Sequence, residues 1–328
     1  MDKSSVQFVQ MSQNEASNSS NRKRKTLNLI NLPRKRLRFQ GSYRQQNWPF
    51  RNSFINYITK TPSNAKAWQK LIQSCKYFFA KNPIIVVDSL NFSREWEVFT
   101  NTSAGRLQKG IPPNNVSYKL WIAETLSILY GANPKDVSSI MPQICRCDAT
   151  KLFFYGQILT YDEFLFFSRN IEILHLNSSC VKNGNGIVAT NENNTNVPLE
   201  KLVKTLVNLK KIFGEIDPSH SCITSNTVKE LLEIPHFSKI DNFTLYKIPE
   251  VFDIDTFFIY IKKNKYTEFY LYFAGSISEE YKVCLEKIVD EILQTETHNY
   301  KLPWIYFDGL AEEKKRKMRY MNERFSAL

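Results

Sequence analysis

Glycine is scarce in this sequence, ten of 328 residues, and its scarcity excludes folds that rely on it. Phosphate-cradling loops and tightly turned all-β architectures place Gly where the backbone takes positive φ, so both are disfavoured. No uninterrupted apolar run reaches the roughly 18 residues of a membrane span. The first thirty residues lack the apolar stretch of a signal peptide, so an intracellular chain in nucleus, cytoplasm or both is expected, with no membrane partner. Cysteine is present only as six scattered residues, Cys75, Cys145, Cys147, Cys180, Cys222 and Cys284, expected to be reduced and mostly buried. The one close pair, Cys145 and Cys147, has no second pair or His at ligand spacing, and structural zinc needs four converging ligands. No metal and no cofactor is expected.

Catalytic constellations are equally thin. His175, His220, His236 and His298 lie far apart. Asp217-Pro218-Ser219-His220 brings an acid, a hydroxyl and an imidazole together in sequence, but triad members meet through the fold and need an oxyanion site, so this stretch reads as a turn. Gly184-Asn-Gly186 lacks the strand-to-helix setting of a phosphate cradle. A non-catalytic protein is expected.

Acidic residues number 32 against 44 Lys and Arg, giving a net charge of +12. The excess sits at the ends: residues 1–45 carry +8 and residues 311–328 carry +3, so 46–310 is close to neutral. The N-terminal 45 residues are polar, charged and almost without aromatics, and are expected to be a disordered basic tail. Within it Arg22-Lys23-Arg24-Lys25 and Arg34-Lys35-Arg36 are candidate nuclear-localisation clusters. The near-neutral middle adds no basic stripe, which argues against nucleic acid as a direct partner. Residues 311–328 read as a charged helix or tail.

The most sharply punctuated stretch runs from Trp48 to Asp88. Pro49 sits where a helix can begin, and Phe54, Ile55 and Ile58 mark an apolar face. Thr61-Pro62-Ser63 interrupts, and Ser63 is a candidate N-cap for a second helix from Ala65 to Ser74 carrying Trp68 and Leu71. Tyr77, Phe78 and Phe79 follow. Forty residues cannot hide that many rings alone. In its entry Pro49, the helix Phe54 to Ile58, the spacer, Trp68 and Leu71, and the run Ser74-Cys75-Lys76-Tyr77-Phe78, the stretch resembles the F-box, and especially F-box-like sequences of the expanded nematode families. That resemblance implies a helical module at 46–88 that docks on a Skp adaptor of SCF-type cullin-RING ubiquitin ligases. Pro49, Phe54, Ile55, Ile58, Trp68, Leu71 and Phe78 would be its partner-binding residues. The alternative is that these helices cap a larger core.

Downstream, Ile84-Ile85-Val86-Val87 reads as a strand, 91–115 as an irregular loop, and Tyr118–Tyr130 as a buried helix. From Lys151 an apolar run, a turn and an amphipathic helix recur every twenty to forty residues. Strands are expected at 152–155, 171–176, 211–216, 243–246, 269–273 and 304–307. Helices are expected at 161–168, 199–207, 227–233, 255–263 and 279–293, with Asp162, Thr224 or Ser225, Asp253 and Ser278 as N-caps. The segment Ile171-Glu-Ile-Leu-His-Leu-Asn177 resembles a leucine-rich-repeat strand phrase, with weaker copies at Phe243-Thr-Leu-Tyr and Phe269-Tyr-Leu-Tyr. The expected fold is therefore α/β, a helical F-box-like module followed at 89–310 by an irregular leucine-rich-repeat-like strand-helix solenoid. Residues 182–196, rich in Asn and Gly, would be a long insertion.

In strand 269–273, alternation sends Phe269, Leu271 and Phe273 to one face and Tyr270 and Tyr272 to the other, where they would line a substrate face. The family resemblance implies a substrate-recognition adaptor for ubiquitin-dependent degradation that takes a Skp adaptor, other ligase subunits and a substrate protein. The other reading is a nuclear scaffold or nucleic-acid-associated interaction protein without a ligase role.

Overall fold

The computed structural model describes residues 49–102, 105–111, 117–129, 133–184, 195–216 and 221–326, all within one compact unit spanning 44–328. The basic tail and its two clusters lie outside the described residues, as do residues 217–220 and 185–194. Among the described residues three short helices come first: α1 (Asn52–Lys60), α2 (Ala65–Ser74) and α3 (Lys76–Lys81). Pro49 precedes α1 by three residues and does not open it. The cap of α2 is Asn64, not Ser63: its side-chain oxygen accepts from the Ala67 N–H at 2.9 Å.

Strands β1 (Ile84–Phe92), β2 (Trp96–Thr102) and β3 (Gly105–Ile111) form an antiparallel meander, and β1 pairs in parallel with β4 (Lys119–Ile128). There follow α4 (Asp136–Ile140), β5 (Ile144–Cys147), β6 (Lys151–Tyr155), β7 (Ile158–Thr160), α5 (Tyr161–Phe167), β8 (Ile173–Asn177) and β9 (Cys180–Lys182). The chain continues through α6 (Leu199–Thr205), β10 (Lys211–Glu215), α7 (Thr227–Leu232), β11 (Asn242–Ile248) and α8 (Ile254–Lys263). It ends with β12 (Glu268–Phe273), α9 (Glu279–Gln294), β13 (Trp304–Tyr306) and α10 (Glu312–Ser326). The fold is mixed α/β around one large mixed sheet.

Among the described residues that sheet has eleven strands, in the order β3-β2-β1-β4-β6-β8-β10-β11-β12-β13, with β5 also paired to β4. From β1 to β13 every pairing is parallel and position in the sheet follows position in the chain. From β4 onward the winding runs one way; the order reverses at β1, where the antiparallel β2–β3 hairpin lies on the side opposite β4. That reversal is made by a hairpin and not by a second set of helix crossovers, the arrangement that opens a ligand crevice in doubly wound sheets. Each parallel step needs a crossover, and the crossover helices bury one common face. Phe164 and Phe167 of α5, Leu202 of α6, Leu231 of α7, Phe257 of α8 and Val289 of α9 meet Leu152, Leu174, Ile212, Phe243 and Phe269 in a single core.

From residue 151 all six expected strands and five expected helices are present, to within two residues at either end. Asp253 and Ser278 cap α8 and α9, accepting from the Thr256 and Tyr281 N–H groups. The α5 cap is Thr160 rather than Asp162, in a reciprocal box with Glu163. Neither Thr224 nor Ser225 caps α7, whose N-cap position is Asn226.

Three expectations upstream fail. The stretch expected as a helix at 118–130 holds β4 (Lys119–Ile128) instead, with Tyr130 outside the described residues. Leu120, Ile122, Leu126 and Ile128 enter the main core while Trp121 and Ala123 are covered on the other face, so no polar alternation marks the strand. The supposed loop at 91–115 holds the β2–β3 hairpin, an outlying extension with too little buried surface to leave a strong apolar pattern. The expected boundary after residue 88 falls inside β1.

Candidate functional site

Alternation along the parallel strands sends one set of side chains away from α4–α9. Register places Phe153, His175, Phe213, Thr244, Tyr270 and Trp304 in one row across six strands. Toward the strand C-termini a second row begins with Tyr155, Asn177, Glu215 and Tyr246 and continues through Tyr272 to Tyr306. Together they form an aromatic floor.

The rings stack on one another. His175 lies between Phe153, with centroids 4.6 Å apart, and Phe213, at 4.1 Å and an interplanar angle of 20°. Burial pushes the His175 imidazole down to about 4, so it is neutral at physiological pH. Tyr246 stacks on Tyr272 at 4.4 Å and 12°, and Tyr272 meets Tyr306 at 6.0 Å. The first contact is made where the β11–β12 register shifts between Leu245 and Ile248, with Lys247 at φ 58°. Lys247 pairs with Glu215 at 2.7 Å. Burial, reinforced by Tyr246, pushes the Tyr272 phenol up to about 12. Tyr270 is raised by burial and by Glu268, and both phenols stay protonated donors.

At the β1 and β4 end the same face is covered by α1–α3. Ile55, Trp68 and Phe78 pack on Ile84, Val86 and Trp121 in a second cluster, apart from the main core. The Trp68 indole N–H donates to the Ile84 carbonyl at 3.1 Å, and Trp68 meets Phe78 edge-on at 6.3 Å. Arg146 clasps the seam. Its guanidinium lies 4.4 Å from the Trp121 ring centroid, donates to Asp148 at 2.9 Å and reaches the Pro62 carbonyl at 3.4 Å. The second Asp148 oxygen accepts from the Trp121 indole at 2.8 Å.

The residues expected to dock a partner therefore divide. Ile55, Trp68 and Phe78 are buried against the sheet; Ile58 and Leu71 are half-buried; Pro49 and Phe54 face outward. Phe54 is 48% exposed and sits 5.2 Å from Phe50, itself 57% exposed, with Tyr57 beside them at 68%. Phe50 and Tyr57 were not among the expected residues, although Phe50, Phe54 and Tyr57 follow a near-helical interval in the sequence. Of the expected substrate face, Tyr270 is exposed and Tyr272 half-buried, and they lie in different rows. Phe153, His175, Phe213, Tyr246, Trp304 and Tyr306 were missed: each belongs to a strand read correctly, but only cross-strand register brings them together.

No group of three or more His, Cys, Asp or Glu is placed to hold a metal among the described residues. Cys145 is exposed and Cys147 buried on β5. His236 and His298 bond to the backbone carbonyls of Val203 and Ile292. Among the described residues no helix is long and apolar enough to cross a membrane. No family model, curated protein or solved structure matches the chain.

Proposed function

We propose that this chain is a substrate-recognition adaptor of an SCF-type cullin-RING ubiquitin ligase. On this reading α1–α3 are an F-box-like module that takes a Skp adaptor on its outer side. The one-directional strand-helix winding is a leucine-rich-repeat-like solenoid whose aromatic floor holds a substrate protein. Ubiquitin transfer belongs to the partner subunits, and the basic clusters Arg22–Lys25 and Arg34–Arg36 direct the chain to the nucleus.

The observation that carries the reading is the division of α1. Ile55 faces the sheet at 4% exposure, whereas Phe50, Phe54 and Tyr57 stand outward. Two exposed rings on one short helix, with a third just ahead of its first turn, are a poor arrangement for water and a good one for a hydrophobic groove in a partner. The test is co-purification of a Skp adaptor with the full chain and with Phe54→Asp/Tyr57→Asp, a pair chosen because both side chains are solvent-facing. Capture by the wild type and loss in the variant is expected; equal capture, or none by either, would refute the docking role.

A further inference from the structure

We infer that the aromatic floor is a seat for an acidic, extended peptide segment of a partner protein. This rests on the reading of the floor as a substrate face and adds the substrate's chemistry.

Ring orientation is the first observation. In the His175 sandwich and the Tyr246–Tyr272 stack the faces are turned to one another at 4.1–4.6 Å, so what reaches solvent is ring edges and phenol hydroxyls. Ring edges carry the positive end of the aromatic quadrupole. Nucleobases bind sheets by lying on open ring faces, and in these two stacks the facing surfaces are occupied. Edges and hydroxyl donors instead suit carbonyl and carboxylate oxygens.

Charge is the second. On this side Glu215 is neutralised by Lys247 at 2.7 Å and Glu268 by Lys301 at 3.2 Å. Lys151 and Lys211, exposed and on the same face by register with Ile173, form no ion pair among the described residues. The module covering the β1 and β4 end adds Arg51, Lys60, Lys66, Lys70, Lys76 and Lys81, with no acidic residue between 49 and 87. The near-zero charge of 46–310 thus conceals an uneven distribution. Floor and flanking module both favour anionic side chains, which raises the on-rate of an acidic partner and disfavours a basic one.

Size is the third. Six strands from β6 to β13 leave five spacings of about 4.8 Å, or roughly 24 Å of floor, which matches about seven residues of extended chain at about 3.3 Å each.

The experiment is selection from a displayed library of random nonapeptides on the full-length chain and on Lys151→Glu/Lys211→Glu, followed by fluorescence anisotropy of a selected peptide and of a nine-nucleotide oligo-dT. Selected peptides should be rich in Asp and Glu. Their affinity should fall about tenfold or more in the charge-reversed variant, a difference of about 1.4 kcal/mol. It should also fall in Tyr246→Ser/Tyr270→Ser, which keeps both lysines. Neutral or basic selections would overturn the inference. So would acidic selections bound equally by both variants, since the basic N-terminal tail would then be the seat. Oligo-dT binding that depends on these residues while peptide binding does not would replace the peptide by nucleic acid. Phe54→Ser/Tyr57→Ser, which removes the two outward rings without adding charge, should lose adaptor docking and leave peptide affinity unchanged, so loss of adaptor docking and loss of the peptide seat are read separately.

Discussion

Replacing Trp68 by alanine should release α1–α3 from the sheet and leave the rest of the fold standing. Trp68 is 1% exposed, and with Ile55 and Phe78 it supplies the fully buried apolar side chains of the helical side of that cluster. Burying such side chains stabilises by about 1.5–3 kcal/mol each, so the attachment is worth several kcal/mol before chain entropy is subtracted. Truncating a buried Trp costs about 3–5 kcal/mol, and leaving the Ile84 carbonyl without its indole donor adds about 1 kcal/mol. The loss is therefore comparable to the whole attachment. The main core is a separate cluster, reached through Leu120 and Ile122 on the opposite side of β4. Hydrogen exchange read by mass spectrometry should show amides 52–81 exchanging about three to four orders of magnitude faster, with β8 and β10–β12 unchanged. Uniform loss of protection across the chain would refute the separation, because helices and sheet would then unfold as one. Unchanged exchange in 52–81 would refute the energetic estimate.

Gly214 is buried in the middle of β10, and a Cβ there would meet the Leu245 side chain at 3.0 Å. Gly214→Val should therefore overpack the core and lower unfolding stability by about 1–3 kcal/mol, seen as a reduced urea midpoint; an unchanged midpoint would mean that Leu245 has room to retreat. His175 carries a pH signature. Its folded pKa, about 4, lies below the ordinary value of 6.5, so between those values the unfolded chain binds the proton and the folded chain does not. Stability then rises with pH through that window and falls on acidification from 6.5 toward 4. His175→Phe keeps an aromatic ring between Phe153 and Phe213 and should flatten that part of the stability curve; a variant with the wild-type slope would show that other groups set it.

The repeating half of the fold was legible because each unit carries its own punctuation. Ser278 before Glu279 and Asp253 before Ile254 announce helices, and Phe269-Tyr-Leu-Tyr-Phe273 alternates cleanly because one side of β12 faces the helical core and the other does not. Helix α2 was equally plain between its Pro62 spacer and Cys75. β4 was hidden for the opposite reason: with α1–α3 on one side and the main core on the other, Leu120-Trp121-Ile122-Ala123 is apolar throughout, and such a run does not tell strand from helix. The candidate site was legible only in part. Tyr270 and Tyr272 follow from alternation within one strand. The His175 sandwich depends on register among three strands that begin at residues 151, 173 and 211, and no local pattern encodes it.

The exposed surfaces of the sheet are not treated alike, and the difference bears on where a partner sits. Its two edges are guarded. At β13 the helix α10 sends Met318 into the main core and sets Lys315 over the Tyr306 ring at 5.0 Å. At the other edge β3 carries Lys109, an exposed charge that discourages pairing with a further strand. The floor between them keeps its rings. Replacing Tyr246, Tyr270 and Tyr306 by Lys or Thr would cost the main core nothing, since their neighbours in each strand, not they, fill it. An aromatic surface that size is an aggregation liability, reduced here by stacking rings on each other and by ending five positions in phenol hydroxyls. A chain that blunts its edges and retains such a face places its selective contacts on the face, which is why the acidic segment is assigned there rather than to strand addition at β3.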